Sequence, residues 1–195
     1  MPDPDATVPD TATAIRAVAA RAFRERGYDV ATLDEIATEL GISRPAVLHH
    51  FGSKQELLDA VVRPYITAAD RLLAAWAAEA PLNGHGQRRF LTALVELVGE
   101  HRDVAALVSR DLTALPHLPP DLRIEDRTRR YAELLVDIRG GDRLAAVRGM
   151  AALGVIARVL TTPDDLVDFD DPEVQEAVVD AALAALRSGR KRGGT

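Results

Sequence analysis

The chain of 195 residues has no cysteine. Disulfide bridges, cysteine-ligated zinc modules and thiol nucleophiles are therefore excluded, and a reducing cytoplasm is the expected compartment. The opening "MPDPDATVPDTATAIRAV" lacks the basic and apolar regions of a secretory signal. No apolar run reaches the roughly 18 residues of a membrane span, because arginine or aspartate interrupts every candidate. No membrane partner is expected. Convincing strand alternation, internal repeats and a glycine-rich phosphate loop are also missing. There is no excess of positive charge: the net charge is −6, so no global basic field attracts nucleic acid. Any such binding has to rest on a local patch.

What is present is an apolar fraction of 47% with 28% charged residues, enough for an ordinary core. Apolar residues recur at helical spacing almost throughout. "TATAIRAVAARAFRERG" sets Ile15, Val18, Ala19, Ala22 and Phe23 on one stripe and stops at Gly27. Thr32 caps "LDEIATEL", with Glu35 at capping-box spacing. Gly41 ends that helix. Ser43 caps a short third helix, with Pro45 in its first turn, where the missing N–H does no harm. A long helix begins at Ser53 and contains Pro64, and a proline- and glycine-rich loop follows at 81–87. Further helices are expected at about 87–100, 103–115, 121–139, 142–161 and 172–187. The stretch from Asp164 to Asp180 holds eight carboxylates and no base, and reads as a solvated connection leading into the last helix. The predicted architecture is all-α with about nine helices. Residues 1–12 form a disordered N-terminus, 13–55 a helix-turn-helix domain, 56–187 a second helical domain, and 188–195 a basic disordered tail.

The stretch "ELGISRPAVLHHFGSK" carries the most specific signal. It encodes helix, tight turn, helix. Ile36, Leu40, Ile42 and Val47 share one small core, Ala37 permits close crossing, and Gly41 supplies a left-handed turn. On the third helix, Val47, His50 and Phe51 are assigned to the inner face. Arg44, Pro45, Leu48 and His49 are assigned to the outer one. Such an outer face suits a major groove: arginine can bond guanine O6 and N7, and leucine can touch a thymine methyl. Thr32 and Ser43, with the free N–H groups of their helix ends, and Lys54 suit phosphates. The DNA-binding candidates are thus Thr32, Ser43, Arg44, Pro45, Leu48, His49 and Lys54. Charge over 14–63 is balanced, seven basic against seven acidic, so position has to make the patch. The adjacent histidines do not face one another on a helix and make no metal site. His85, His101 and His117 lack ligand spacing. No metal and no cofactor are expected.

Residues 14–63 resemble the tetracycline-repressor (TetR) family of bacterial transcription regulators. The resemblance rests on "AFRERGYDVATLDEIATELGISRPAVLHHFGSKQELLDAV". It includes the Phe-x-x-x-Gly-Tyr end of the first helix, Thr32, "IA" at 36–37, "GIS" at 41–43 and the histidine, phenylalanine, serine and lysine of 49–54. It implies an all-helical homodimer whose N-terminal helix-turn-helix binds double-stranded DNA at a palindromic operator. It also implies a variable C-terminal domain that binds a small-molecule effector. Leu48 stands where the family often has a phosphate-contacting tyrosine, and Pro45 stands where glycine or a small polar residue is usual. Leu48 either touches a base or packs.

In this setting Trp76, Phe90, Leu94, His101, Asp111, Tyr131 and Met150 are the candidate effector site. The alternative is that they close on one another as ordinary core. Stripes on helix 142–161 (Leu144, Val147, Ala151, Gly154, Val155, Arg158) and on the last helix (Val174, Val178, Ala181, Ala182, Ala185) are candidates for a dimer bundle. The leading reading is a ligand-released, non-enzymatic transcriptional repressor. Its competitors are a helical enzyme, for which no nucleophile–base motif is present, and an interaction protein without DNA binding.

Overall fold

The computed structural model describes residues 10–110, 114–122, 125–138, 144–163 and 165–188. Among the described residues all regular structure is helical. The α-helices are α1 (Thr11–Arg26), α2 (Leu33–Glu39), α3 (Arg44–Phe51), α4 (Lys54–Trp76), α5 (Gly84–Glu100), α6 (Arg102–Arg110), α7 (Glu125–Leu135), α8 (Ala145–Leu160) and α9 (Pro172–Arg187). The all-α architecture read from the periodicity is the one observed.

Helix ends follow local chemistry. α5 starts earlier than its apolar stripe suggests because the Asn83 side chain accepts a hydrogen bond from Gly86 N at 2.9 Å. α7 starts later than expected. Residues 120–122 form a separate 3₁₀ turn, which periodicity alone does not distinguish from a first helical turn. Asp171 caps α9 through Glu173 N at 2.9 Å, with Pro172 as the first helical residue.

Two hydrophobic cores share one long helix. The first joins Ile15, Phe23, Tyr28, Ile36, Val47 and the first half of α4 (Leu57, Leu58, Val62, Ile66). The second joins the last part of α4 (Ala69, Leu73) to α5, α7, α8 and α9. α6 is wedged between them. Its Val104, Leu107 and Val108 belong to the first core, and Ala105 and Ala106 to the second. Arg24 of α1 bonds Asp103 of α6 at 2.9 Å, fastening the N-terminal helices to this wedge.

A series of ion pairs runs beside α4. Asp70 takes a bidentate pair from Arg127 of α7 at 2.9 and 2.6 Å, with the Arg127 side chain only 11% exposed. Arg63 bridges Asp59 on its own helix at 2.8 Å and Asp121 at 2.9 Å. The Arg63 hydrogen bond holds the Asp121 carboxyl below its ordinary range.

The acidic connection before α9 is not wholly solvated, contrary to its composition. Phe169 within it is fully buried in the second core, and its carbonyl accepts from Gln175 Nε2 at 3.1 Å. One large apolar side chain among carboxylates is enough to anchor the segment.

Candidate nucleic-acid interface

The turn between α2 and α3 is fixed by backbone geometry. Gly41 has φ +65°. Ile42 N bonds Ala37 O at 3.0 Å and Gly41 N bonds Thr38 O at 3.1 Å. These are the two hydrogen bonds of a Schellman close, which needs a left-handed residue at the position Gly41 occupies. Ile36, Ala37 and Val47 are buried beneath the turn, with Leu40 and Ile42 packed at its edge. The two short helices therefore meet at a set angle.

Each helix start carries its cap. Thr32 forms a full capping box: its hydroxyl accepts from Glu35 N at 3.2 Å, and Thr32 N donates to Glu35 Oε2 at 2.8 Å. These Thr32 donors hold the exposed Glu35 carboxyl below its usual range. Ser43 Oγ accepts from Ala46 N at 3.3 Å, and Ser53 Oγ from Glu56 N at 3.1 Å.

The face of α3 is rotated relative to the sequence assignment. Leu48 and Phe51 are the half-buried residues packed on the core, beside the fully buried Val47, while His50 is exposed. Val47, Leu48 and Phe51 stand one, three and four residues apart and make one stripe, so the inner face passes through Leu48 and leaves His50 outside. The outer face presents Arg44, Pro45, His49 and His50. Arg44 is held only loosely, 3.7 Å from Asp34, both side chains more than half exposed. An exposed ion pair of this kind contributes little and is readily exchanged for another anion. Lys54 is positioned by two contacts that sequence reasoning did not anticipate. Its Nζ donates to Asp29 O at 3.2 Å and lies 4.4 Å from the centre of the Tyr28 ring. Tyr28 is itself edge-on to Phe23 at 5.4 Å. The Phe-x-x-x-Gly-Tyr spacing was the visible signal for that platform.

The effector candidates fall into two groups. Trp76, Phe90 and Tyr131 form a continuous aromatic chain, with ring centres 6.0 and 5.9 Å apart, and Leu94 is buried in the same core. His101 lies 5.8 Å from the Tyr65 ring. Burial pushes the Tyr65 hydroxyl up to about 12. The Tyr131 hydroxyl is pushed up further, by burial first and then by Tyr65 and Asp70, and it has no hydrogen-bond partner among the described residues. Met150 is not brought to this cluster. It is 49% exposed on the outer side of α8, where the helix turns its opposite face (Ala152, Ile156, Leu160) to the core. Asp111 lies outside the described residues.

This geometry, a capped helix-turn-helix on a small core with a long helix leading away, coincides with the region of a known family model. Residues 15–61 match the family described as bacterial regulatory proteins, tetR family. Over these residues the chain carries the N-terminal region of the TetR family. It is 27% identical over 124 residues to the HTH-type transcriptional repressor KstR2 of Mycobacterium tuberculosis, covering 62% of this chain and 60% of that protein. The chain thus spans about 60% of that relative's length. Over 48 residues it is 44% identical to the HTH-type transcriptional activator FasR of Mycolicibacterium smegmatis, covering 25% of this chain and 22% of that one. A TetR-family regulator from Bordetella parapertussis superposes with a TM-score of 0.72 at 19% identity, covering 94% of this chain and 97% of that one. That likeness extends the shared fold through the C-terminal helices, where the sequence matches only in helix pattern. No helix among the described residues is long and apolar enough to cross a membrane.

Proposed function

We propose that this protein is a sequence-specific DNA-binding transcriptional regulator of the cytoplasm, a homodimeric repressor released from its operator by a small apolar effector. The observation that carries the reading is the outer face of α3. Arg44 and His49 stand exposed on a short helix whose angle is set by the Gly41 turn and whose start is capped by Ser43. Rigid presentation of a guanidinium and an imidazole fits base-edge contact in a major groove. Thr32, Ser43 and Lys54 flank that face and suit phosphate contacts. Leu48 is assigned to packing rather than to a base contact. The repressor sense follows KstR2, the relative with the longer aligned stretch.

Dimerisation is supported by α8. Leu144, Val147 and Met150 are exposed at 55%, 62% and 49%, and Ala151 and Gly154 continue the same exposed face. An apolar stripe of this length suits a two-fold contact. On α9 the matching face is Ala177, Ala181 and Ala184, which are exposed. Val178 and Ala182, assigned to that stripe from sequence, are buried within the subunit. The effector is assigned to the aromatic chain around Tyr131, since a buried hydroxyl without a partner is satisfied at no further desolvation cost by an incoming acceptor. α4 joins this region to the DNA reader and is the route for the signal.

The test is selection of bound duplexes from a random pool, followed by gel shift. Wild type is expected to enrich a palindrome, with binding that weakens steeply with salt. Arg44→Ala with His49→Ala is expected to keep the melting temperature and weaken specific binding by about 1–3 kcal/mol. Recovery of no sequence at all, or a double variant that binds the selected site like wild type, refutes the reading.

A further inference from the structure

At one end of the C-terminal bundle the start of α5, the end of α7, the first turn of α8 and the end of α9 enclose a cavity of about 550 Å³. It is separate from the aromatic chain around Tyr131, and none of the described effector candidates lines it. Its size falls within the range of small-molecule sites.

The chemistry of its wall is one-sided. Leu82, Val136 and Leu186 supply an apolar lining. Arg148, also on the wall, is 7% exposed and is the one buried charged side chain among the described residues. Its guanidinium is a planar cation whose N–H donors are arranged as a fork. Arg148 already interacts within the chain, and a buried side chain loses less freedom on binding than an exposed one. Arg187 adds a second guanidinium at the exposed end of α9. The lone acidic residue on the described wall is the exposed Asp137. Two carbonyls at the end of α7, which would otherwise favour a cation, already accept hydrogen bonds. Leu134 O accepts from Leu82 N at 2.8 Å, and Leu135 O accepts from Gln87 Nε2 at 2.7 Å.

We propose that this cavity binds a small organic monocarboxylate, its carboxylate on Arg148 and its apolar body against Leu82, Val136 and Leu186. A planar carboxylate matches the guanidinium fork with two parallel hydrogen bonds, and the apolar wall selects an organic acid over an inorganic anion. The site stands apart from the DNA-binding reading and is tested without DNA.

The probes are benzoate, benzamide and benzylamine, which share one ring and differ in charge. Each is titrated into the full chain by calorimetry, with melting temperature measured in parallel. Benzoate is expected to bind saturably and at least tenfold more tightly than the other two. Arg148→Met is expected to weaken benzoate at least tenfold. Gly84→Phe is a second variant that leaves the buried arginine alone. Gly84 lines the cavity, and a Cβ there meets no atom within 4 Å. The added ring should fill the space and abolish benzoate binding with the melting temperature unchanged. The proposal is overturned if benzoate does not bind, if the three probes bind alike, or if folded Arg148→Met keeps wild-type affinity. Should Arg148→Met fail to fold, unchanged benzoate affinity in folded Gly84→Phe overturns it.

Discussion

Replacing Gly41 by alanine isolates the turn that aims α3. The backbone there has φ +65°, and an added Cβ meets no atom within 4 Å. Steric collision with the rest of the fold therefore contributes nothing, and the cost is that of placing an L-residue in the left-handed region, about 1–2 kcal/mol. Losing glycine's freedom in the unfolded chain acts in the same direction as stabilisation and offsets about 0.4–1 kcal/mol of this. The net expectation is destabilisation of about 1 kcal/mol, which for a chain of this size is about 2–4 °C in melting temperature. Asparagine tolerates the left-handed region better, so Gly41→Asn should lie between wild type and Gly41→Ala. The assay is urea denaturation followed by circular dichroism, with the slope unchanged and the midpoint shifted. If Gly41→Ala is neutral or stabilising, Gly41 does not hold the left-handed turn. If it costs more than about 3 kcal/mol, the cost exceeds any backbone term and the space around Gly41 is not open.

Val147→Glu, on the exposed stripe of α8, should leave the monomer folded and give monomers by analytical ultracentrifugation, with loss of the gel shift; an unaltered dimer would move the interface elsewhere. Tyr131→Phe removes a buried hydroxyl that has no partner among the described residues, so it should stabilise the protein by about 1 kcal/mol. A loss of similar size in thermal denaturation would show that the hydroxyl is satisfied. Asp121 has its folded value depressed by the Arg63 hydrogen bond. Its contribution is present above the unfolded carboxylate value of about 3.9 and is lost as pH falls through the folded value. Asp121→Asn should flatten stability below that pH and change its slope little at neutral pH, as read from melting temperatures across an acid series.

Much of the reader was legible because its causes are local. A capping serine or threonine, a glycine where only a positive φ closes the turn, and an apolar stripe at helical spacing act within a few residues. Thr32, Gly41, Ser43 and Ser53 accordingly occupy the roles their types and spacing predict. The rotation of α3 was not legible. In an eight-residue helix, stripes through His50 or through Leu48 fit the periodicity about equally. Only the surfaces of α2 and α4 beneath it decide that Leu48 goes in and His50 stays out. The same holds for distant pairs. Nothing in sequence spacing joins Asp70 to Arg127 or Lys54 to Tyr28, because those distances are set by how whole helices cross. Tertiary structure also decides that Met150 faces outward while Phe169, surrounded by carboxylates in sequence, is buried. Sequence determines helices and their ends through short-range hydrogen bonds and backbone sterics; which face of each helix is covered depends on area supplied by residues far away in the chain.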